Sequence, residues 1–401
     1  MVQAAGASGW TATTQYPLNI TGQQCILNAS YIYCIGGGIS TYFQNRTYSA
    51  LAETGGVGAW SGQSNYPQLE FGQSCVSALS RIYCIGGYNS TSYINFVYSA
   101  FLQGGAISDW RNIGQYPLNA SGTSCASASS KIICVGGSLP LGNLTNQTYY
   151  TEAFGNVIIN PANKGASSPW YPAPPYPSNI TGATCLGYGS YVFCIGGETE
   201  SGYTNSVFSI NLNAPQSGWT SATPYPIPAS GMGCATASGY IVCEGGNIRS
   251  SYGNSTGNYT NLAYATLISG GYIGKWISIA NYPFNVSGSS CVGNATGYVY
   301  CTGGFNGTSY TNATYYMKLD FAVQPATTAG SVHENVTNIG STTQSTTSVP
   351  VISTPQAGTP AGAGSGQNIG TAEAAALIIV VIVCAALAAF LLMRPRNRRK
   401  A

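Results

Sequence analysis

The stretch "YIYCIGG", from Tyr31 to Gly37, is an apolar run of strand character ending in a cysteine, one further residue and two glycines. It recurs as "RIYCIGG" from Arg81, "KIICVGG" from Lys131, "YVFCIGG" from Tyr191, "YIVCEGG" from Tyr240 and "YVYCTGG" from Tyr298. Self-similarity at a fixed period is how repeat architectures show themselves, so six copies constrain the fold to an array of one unit. Two further markers stay in phase. The tryptophans of the chain are Trp10, Trp60, Trp110, Trp170, Trp219 and Trp276. Each is followed six residues on by Tyr-Pro, with the tyrosines at Tyr16, Tyr66, Tyr116, Tyr176, Tyr225 and Tyr282.

Each unit therefore runs Tyr-Pro, first cysteine, second cysteine, glycine pair, aromatic, tryptophan. The aromatics read as Tyr48, Tyr98, Tyr150, Phe208, Tyr264 and Tyr316. Over residues 10 to 320 this pattern resembles the kelch repeat, through the glycine pair closing an apolar strand, the following Tyr, the Trp, and a period near 50. The resemblance implies an all-β fold, a six-bladed propeller of four-stranded blades. Two features depart from the kelch pattern: a longer gap between Tyr and Trp, and the paired cysteines. Strand a carries the first cysteine, b the second, c the Tyr and d the Trp. The chain starts on a d strand at Trp10 and ends after a c strand, so the N-terminal strand is expected to complete the last blade and leave no open edge.

The cysteine pairs are Cys25/Cys34, Cys75/Cys84, Cys125/Cys134, Cys185/Cys194, Cys234/Cys243 and Cys291/Cys301. A two-residue turn at Ser129-Ser130 sets Cys125 opposite Cys134 in a non-hydrogen-bonded pair, with Cα atoms roughly 4.5 Å apart. The sixth pair is one residue longer, and Gly297 suits the left-handed position of a three-residue loop. Six local disulfides follow, each closing a loop worth about 2.7 kcal/mol in the chain-entropy model. The short Cys-x-x-Cys spacing of zinc sites is missing. The thirteenth cysteine, Cys384, falls in an apolar run and reads as inert.

That run, residues 374 to 393, is 20 residues without a charge, long enough to cross a bilayer as a helix. Arg394, Arg396, Arg398, Arg399 and Lys400 follow it and favour a cytoplasmic C-terminus. The expected organisation is a propeller ectodomain over 1–321, a disordered Ser/Thr/Pro/Gly-rich stalk over 322–371, a transmembrane helix over 372–393 and a basic tail over 394–401. The localisation that follows is the cell membrane, single-pass, with the ectodomain outside. The first ten residues lack the basic start and apolar stretch of a signal peptide, which leaves the route of export open.

In a four-stranded meander the b–c loops and d–a connections share one face, and the stalk would leave from the other. Asn19, Asn119, Asn179 and Asn285 are sequons in d–a connections; Asn45, Asn89, Asn143, Asn146, Asn254, Asn258, Asn306 and Asn312 are sequons in b–c loops. They are expected to carry glycans on the distal face. The same loops hold aromatics, of which Tyr42, Tyr93, Tyr252 and Tyr310 are the candidate binding residues.

Charged residues make up only 6% of the chain, and no basic patch exists for nucleic acid. So few carboxylates suggest weak pH dependence of folding. Kelch-like propellers include copper oxidases and sialic-acid enzymes. The single histidine, His333, lies in the stalk, so copper ligation by His and Tyr and His-based acid–base catalysis are excluded. Of the arginines only Arg46 and Arg249 map to the distal face, too few for a sialidase cluster. Glu198, Glu200 and Glu244 remain for a carboxylate glycosidase, and Glu244 stands where other repeats have Ile, Val or Thr. No cofactor is expected. The reading is a surface glycoprotein for recognition or adhesion of a protein or glycan, with a cell-envelope coat component and a glycan hydrolase as alternatives.

Overall fold

The structure, a computed structural model, describes residues 9–39, 42–153, 169–248 and 258–320. The expected stalk, membrane helix and tail lie outside these residues. Among the described residues no helix is long and apolar enough to cross a membrane.

The described chain folds into six antiparallel blade sheets, each an a-b-c-d meander, with two further two-stranded ribbons in the b–c loops of blades 1 and 4. Blade 1 comprises Gln24–Asn28, Tyr31–Ile35, Thr47–Glu53 and Ser61–Gly62. Blades 2 to 5 repeat this from Ser74–Ala78, Ser124–Ala128, Thr184–Tyr188 and Gly233–Ala237. Blade 6 comprises Ser290–Gly293, Tyr298–Thr302 and Thr314–Lys318, and its outer strand is the N-terminal Thr11–Ala12. Thr11 pairs with Tyr316 and Ala12 with Tyr315, so the two ends of the chain share one sheet, as the repeat phasing requires.

The expected cysteine pairs all lie opposite each other across strands a and b, and all are disulfide-bonded: Cys25–Cys34, Cys75–Cys84, Cys125–Cys134, Cys185–Cys194, Cys234–Cys243 and Cys291–Cys301. Their Cα–Cα distances are 4.0 to 4.1 Å, a little shorter than the roughly 4.5 Å expected of such a pair. The two halves of each bond differ in environment. Cys34, Cys84, Cys134, Cys194, Cys243 and Cys301, on the b strands, are 0% exposed and packed into the blade cores. Their partners on the a strands, Cys25, Cys75, Cys125, Cys185, Cys234 and Cys291, line the central channel. The disulfides are therefore staples within the core and not part of an exposed surface site. Spacing alone shows which cysteines pair, but not which of each pair faces the axis.

Ser129 and Ser130 at the a–b turn of blade 3 have φ of 49° and 59°. This is the primed turn whose twist matches that of the flanking strands. In the longer sixth hairpin Gly297 takes φ 90°.

A tyrosine holds each pair of neighbouring blades together. The Tyr16, Tyr66, Tyr116, Tyr176, Tyr225 and Tyr282 side chains are at most 1% exposed. Each meets its blade's Trp edge-on, with centroids 4.9 to 5.1 Å apart. Each also meets the blade's c-strand aromatic edge-on, at 5.3 to 5.8 Å. In blades 3 and 6 that aromatic is Tyr149 and Tyr315, not Tyr150 and Tyr316 as the repeat alignment suggests. The ladder sets Tyr149 opposite Cys134 and Tyr315 opposite Cys301. Two adjacent tyrosines look alike in sequence, and only the strand register decides which one faces inward.

The backbone N–H of the same tyrosine donates to an asparagine carbonyl in the preceding blade, at 2.7 to 2.9 Å. The pairs are Tyr66 to Asn45, Tyr116 to Asn95, Tyr176 to Asn146, Tyr225 to Asn205, Tyr282 to Asn261 and, across the junction of the chain ends, Tyr16 to Asn312. Trp10 belongs to the same scheme in blade 6, packing on Tyr282 and donating its indole N–H to the Ala280 carbonyl at 3.0 Å.

Deleting residues 1–13 removes Trp10 and the Thr11–Ala12 strand but keeps Tyr16. The loss of one large aromatic contact and a ladder should cost about 3 kcal/mol or more and lower the melting temperature by roughly 10 °C. An unchanged melting curve would mean that this strand does not close the ring.

Candidate functional site

The six a strands surround a central channel whose cavity has a volume of about 510 Å³. At its distal end the residue after each glycine pair bridges to the residue before a recurrent connection glycine. The pairs are Gly38–Thr21, Tyr88–Phe71, Ser138–Ser121, Glu198–Thr181, Asn247–Ser230 and Phe305–Ser287. These bridges place the b–c loops and d–a connections on one face, as expected. The last described strand ends on the other: the Leu319 N–H bonds to the carbonyl of Gly297 in the a–b turn.

Two sets of backbone bonds fix this distal rim. The connection glycines bond head to tail around the axis: Gly22 to Gly288, Gly288 to Gly231, Gly231 to Gly182, Gly182 to Gly122 and Gly122 to Gly72, at 2.9 to 3.3 Å. The second glycine of each pair bonds to the next connection: Gly87 to Ala120, Gly137 to Ile180, Gly197 to Ala229, Gly246 to Val286 and Gly304 to Ile20, at 2.7 to 2.9 Å. The pair must be glycine. Gly136, for example, has φ 63°, and a Cβ there would run into the Ile180 carbonyl.

Among the described residues both sets stop at the junction of blades 1 and 2. Here the connection reads "LEFG", where the others read "NITG", "NASG", "PASG" or "NVSG". Phe71 replaces a hydroxyl residue and its ring lies against Gly22. It stacks on Phe43 at 5.9 Å, Phe43 packs on Tyr88, and Tyr88 on Tyr93. Comparing the six connections in the sequence would have exposed Phe71 and Glu70; the repeat search passed over them because it followed what is constant.

Glu70 is 1% exposed and sits beside the Tyr66 hydroxyl. Burial pushes its carboxyl up to about 8, an effect that the nearby Tyr66 hydroxyl offsets only in part. Glu244 is fully buried at the junction of blades 5 and 6. It sits opposite Gly233, where other blades have Gln, Ser or Thr, and a Cβ at Gly233 would strike its Oε1. In three blades the hydroxyl at that position, Ser74, Ser124 or Ser290, accepts from the cysteine N–H of the next blade. In blade 5 the glutamate fills the space and accepts from Ser289 Oγ at 2.5 Å. Burial raises the Glu244 carboxyl to about 8, opposed by that hydrogen bond. Cys291 and Cys301 lie beside it, but their sulfurs are bonded to each other and offer no thiolate to a metal ion. Glu198 lines the cavity, and burial lifts it to about 7. Glu200 accepts from Asn179 Nδ2 at 3.0 Å.

Of the candidate binding residues, Tyr42 is 69% exposed. Tyr93 lines the cavity beside Tyr88, and Tyr310 packs on Phe305 at 5.0 Å. Tyr252 lies outside the described residues, as does Asn254. The other distal sequons are present on the expected face. Asn19, Asn119, Asn143, Asn258 and Asn285 are exposed; Asn45, Asn89, Asn146, Asn179, Asn306 and Asn312 are half-buried. The Oδ1 atoms of Asn89 and Asn306 accept backbone N–H groups in tight loops. Asn45, Asn146 and Asn312 occupy the position that is Asn in all six repeats, whose carbonyl holds the buried tyrosine. At two non-sequon copies the amide also bonds to the tyrosine carbonyl, Asn205 to Tyr225 and Asn261 to Tyr282. Part of the sequon register thus belongs to the fold.

Fold and site together define a closed six-bladed β-propeller with a channel-mouth cavity. No family model matches the chain, and no curated protein matches it. A solved structure titled "Structure of YjhT" is similar, with a TM-score of 0.59 and 13% identity, over 75% of this chain and 95% of that one. At that identity the likeness is one of fold.

The sparse charge suggests weak pH dependence, whereas burial of two carboxyls predicts a marked one. Glu70 and Glu244 have folded-state values near 8 against an ordinary 4.5. Between these values the native state binds more protons than the unfolded chain, so stability falls as pH rises. Their contribution is fully favourable below about pH 4.5 and is lost progressively up to about pH 8. The melting temperature should drop on the order of 10 °C over this window. The double variant Glu70→Gln and Glu244→Gln should flatten the profile. A wild-type profile flat from pH 4.5 to 8 would refute the assignment.

Proposed function

We propose that this protein is a cell-surface recognition molecule. Its propeller, residues 1–321, stands on the stalk over 322–371, held by a single membrane helix over 372–393 with the tail inside. The distal face points outward with its glycans and engages a protein or glycan ligand.

The observation that carries this reading is where the six-fold symmetry fails. The tyrosine, tryptophan, cysteine and glycine-pair positions repeat in every blade, because they build the ring. The rim positions after the glycine pairs do not: they are Gly38, Tyr88, Ser138, Glu198, Asn247 and Phe305. All six make the same backbone bridge, yet their side chains differ in size, polarity and charge, and such diversity on one rim suits a recognition surface. Six disulfides in a ring of this kind suit an oxidising exterior. Glycoside hydrolysis by the usual route uses two facing carboxyl groups. Among the described residues Glu198 is the carboxylate that lines the cavity, Glu244 is fully buried, and Glu200 accepts from Asn179. This arrangement supports binding over turnover.

The test is retention of the full chain, in lipid nanodiscs, on glycan and protein arrays. The expected result is a defined set of retained ligands. Replacing Tyr42, Tyr93, Tyr252 and Tyr310 together by Ser should reduce retention by roughly tenfold or more. No retained ligand, or product release that stops in Glu198→Gln, would overturn the reading.

A further inference from the structure

We propose that the distal end of the channel is a binding site for an uncharged pyranose ring, held by Phe71, Tyr88 and Tyr93 on its apolar face and by Ser138 and Glu198 through its hydroxyls. The proposal rests on the recognition reading and names its ligand class.

All five residues line the same cavity, which runs along the a strands of all six blades and has a total volume of about 510 Å³, within the range of roughly 300–1,000 Å³ usual for small-molecule sites. The aromatic members form one continuous group, with Tyr88 and Tyr93 at 5.2 Å and Phe71 joined to them through Phe43. A pyranose presents a face of C–H groups that packs on such rings, and an edge of hydroxyls that each donate and accept. The polar side of the cavity matches that edge. Ser138 is 8% exposed, and its Oγ has no hydrogen-bond partner. Buried polar groups without partners are costly, and a ligand that supplies both donors and acceptors removes that cost.

Among the described residues the lining contains no Lys, Arg or His, which favours an uncharged ligand. Among those residues a carboxylated sugar would meet Glu198 without a cation beside it. A cationic sugar would have to give up its hydration for one half-buried carboxyl.

The experiment titrates the full chain with methyl glucoside, methyl mannoside and methyl galactoside, followed by saturation-transfer NMR, with glucuronic acid and glucosamine as charged comparisons. At least one neutral glycoside should bind, and Tyr88→Ala should weaken it tenfold or more. Ser138→Ala removes a single oxygen and should weaken it several-fold with an unchanged melting temperature. The proposal is overturned if none of the three binds, if both variants bind as tightly as the native chain, or if the charged sugars bind in preference. Competition separates this from the broader reading. Array ligands that are retained but not displaced by the glycoside leave recognition standing and place it away from the channel. If neither array ligands nor glycosides bind, both proposals fail.

Discussion

The propeller depends on a tyrosine that belongs to two blades at once. The Tyr66 N–H is held by Asn45 of blade 1, while its ring is buried between Tyr98 and Trp110 of blade 2. The same arrangement recurs five more times, the last with Tyr282, Tyr315 and Trp10. Proline after each tyrosine fixes φ and supplies no donor, so the connection turns without leaving an N–H unsatisfied. Neighbouring blades then close on apolar clusters. One such cluster sets Ile26, Tyr33 and Ile35 of blade 1 against Ile82, Ala100 and Leu102 of blade 2. Edge-on aromatic packing of this kind adds about 0.5–1.5 kcal/mol per pair beyond area burial.

With blade contacts made of rings, backbone bonds and disulfides, the fold has little use for charge. Two salt bridges occur among the described residues, Lys131–Glu152 and Lys318–Asp320, both partly exposed and worth little. The carboxyls that matter energetically are the ones without a cation. Glu70 and Glu244 occupy core positions that other repeats give to Ile, Ala or Val, and to Ile, Val or Thr. Burial favours the neutral form of both carboxyls.

The six-fold plan also explains how a site can be found in a protein built from repeats. Positions that carry the ring are held alike in every blade by the same contacts. Departures occur at two junctions: Gly233 and Glu244 between blades 5 and 6, and Phe71 between blades 1 and 2, where it interrupts the glycine ring. Tyr88, Ser138 and Glu198 line one cavity with Phe71. A repeat fold can tolerate such departures because the remaining junctions hold its geometry.

Much of this was legible in the sequence. The period of the tryptophans and glycine pairs set the number of blades and the closure by the N-terminal strand. The nine-residue cysteine spacing set the disulfide partners, since hairpin register depends only on local turn length. The choice of face for the loops followed from meander topology. What the sequence left undecided depends on contacts between residues distant along the chain. That Cys34, Cys84, Cys194 and Cys243 are sealed in blade cores while their partners face the axis follows from how the blades pack around the ring. Whether Tyr149 or Tyr150 enters the core is a matter of ladder register. Whether Glu244 is a rim carboxylate or a buried acid depends on space left by Gly233 and on Ser289 of the next blade. The channel mouth combines single residues from separate repeats, and only closure of the ring brings them to one cavity. Local pattern determines a strand because a strand is made by its neighbours in sequence; a site on the axis is made by neighbours in space, and tertiary structure alone supplies those.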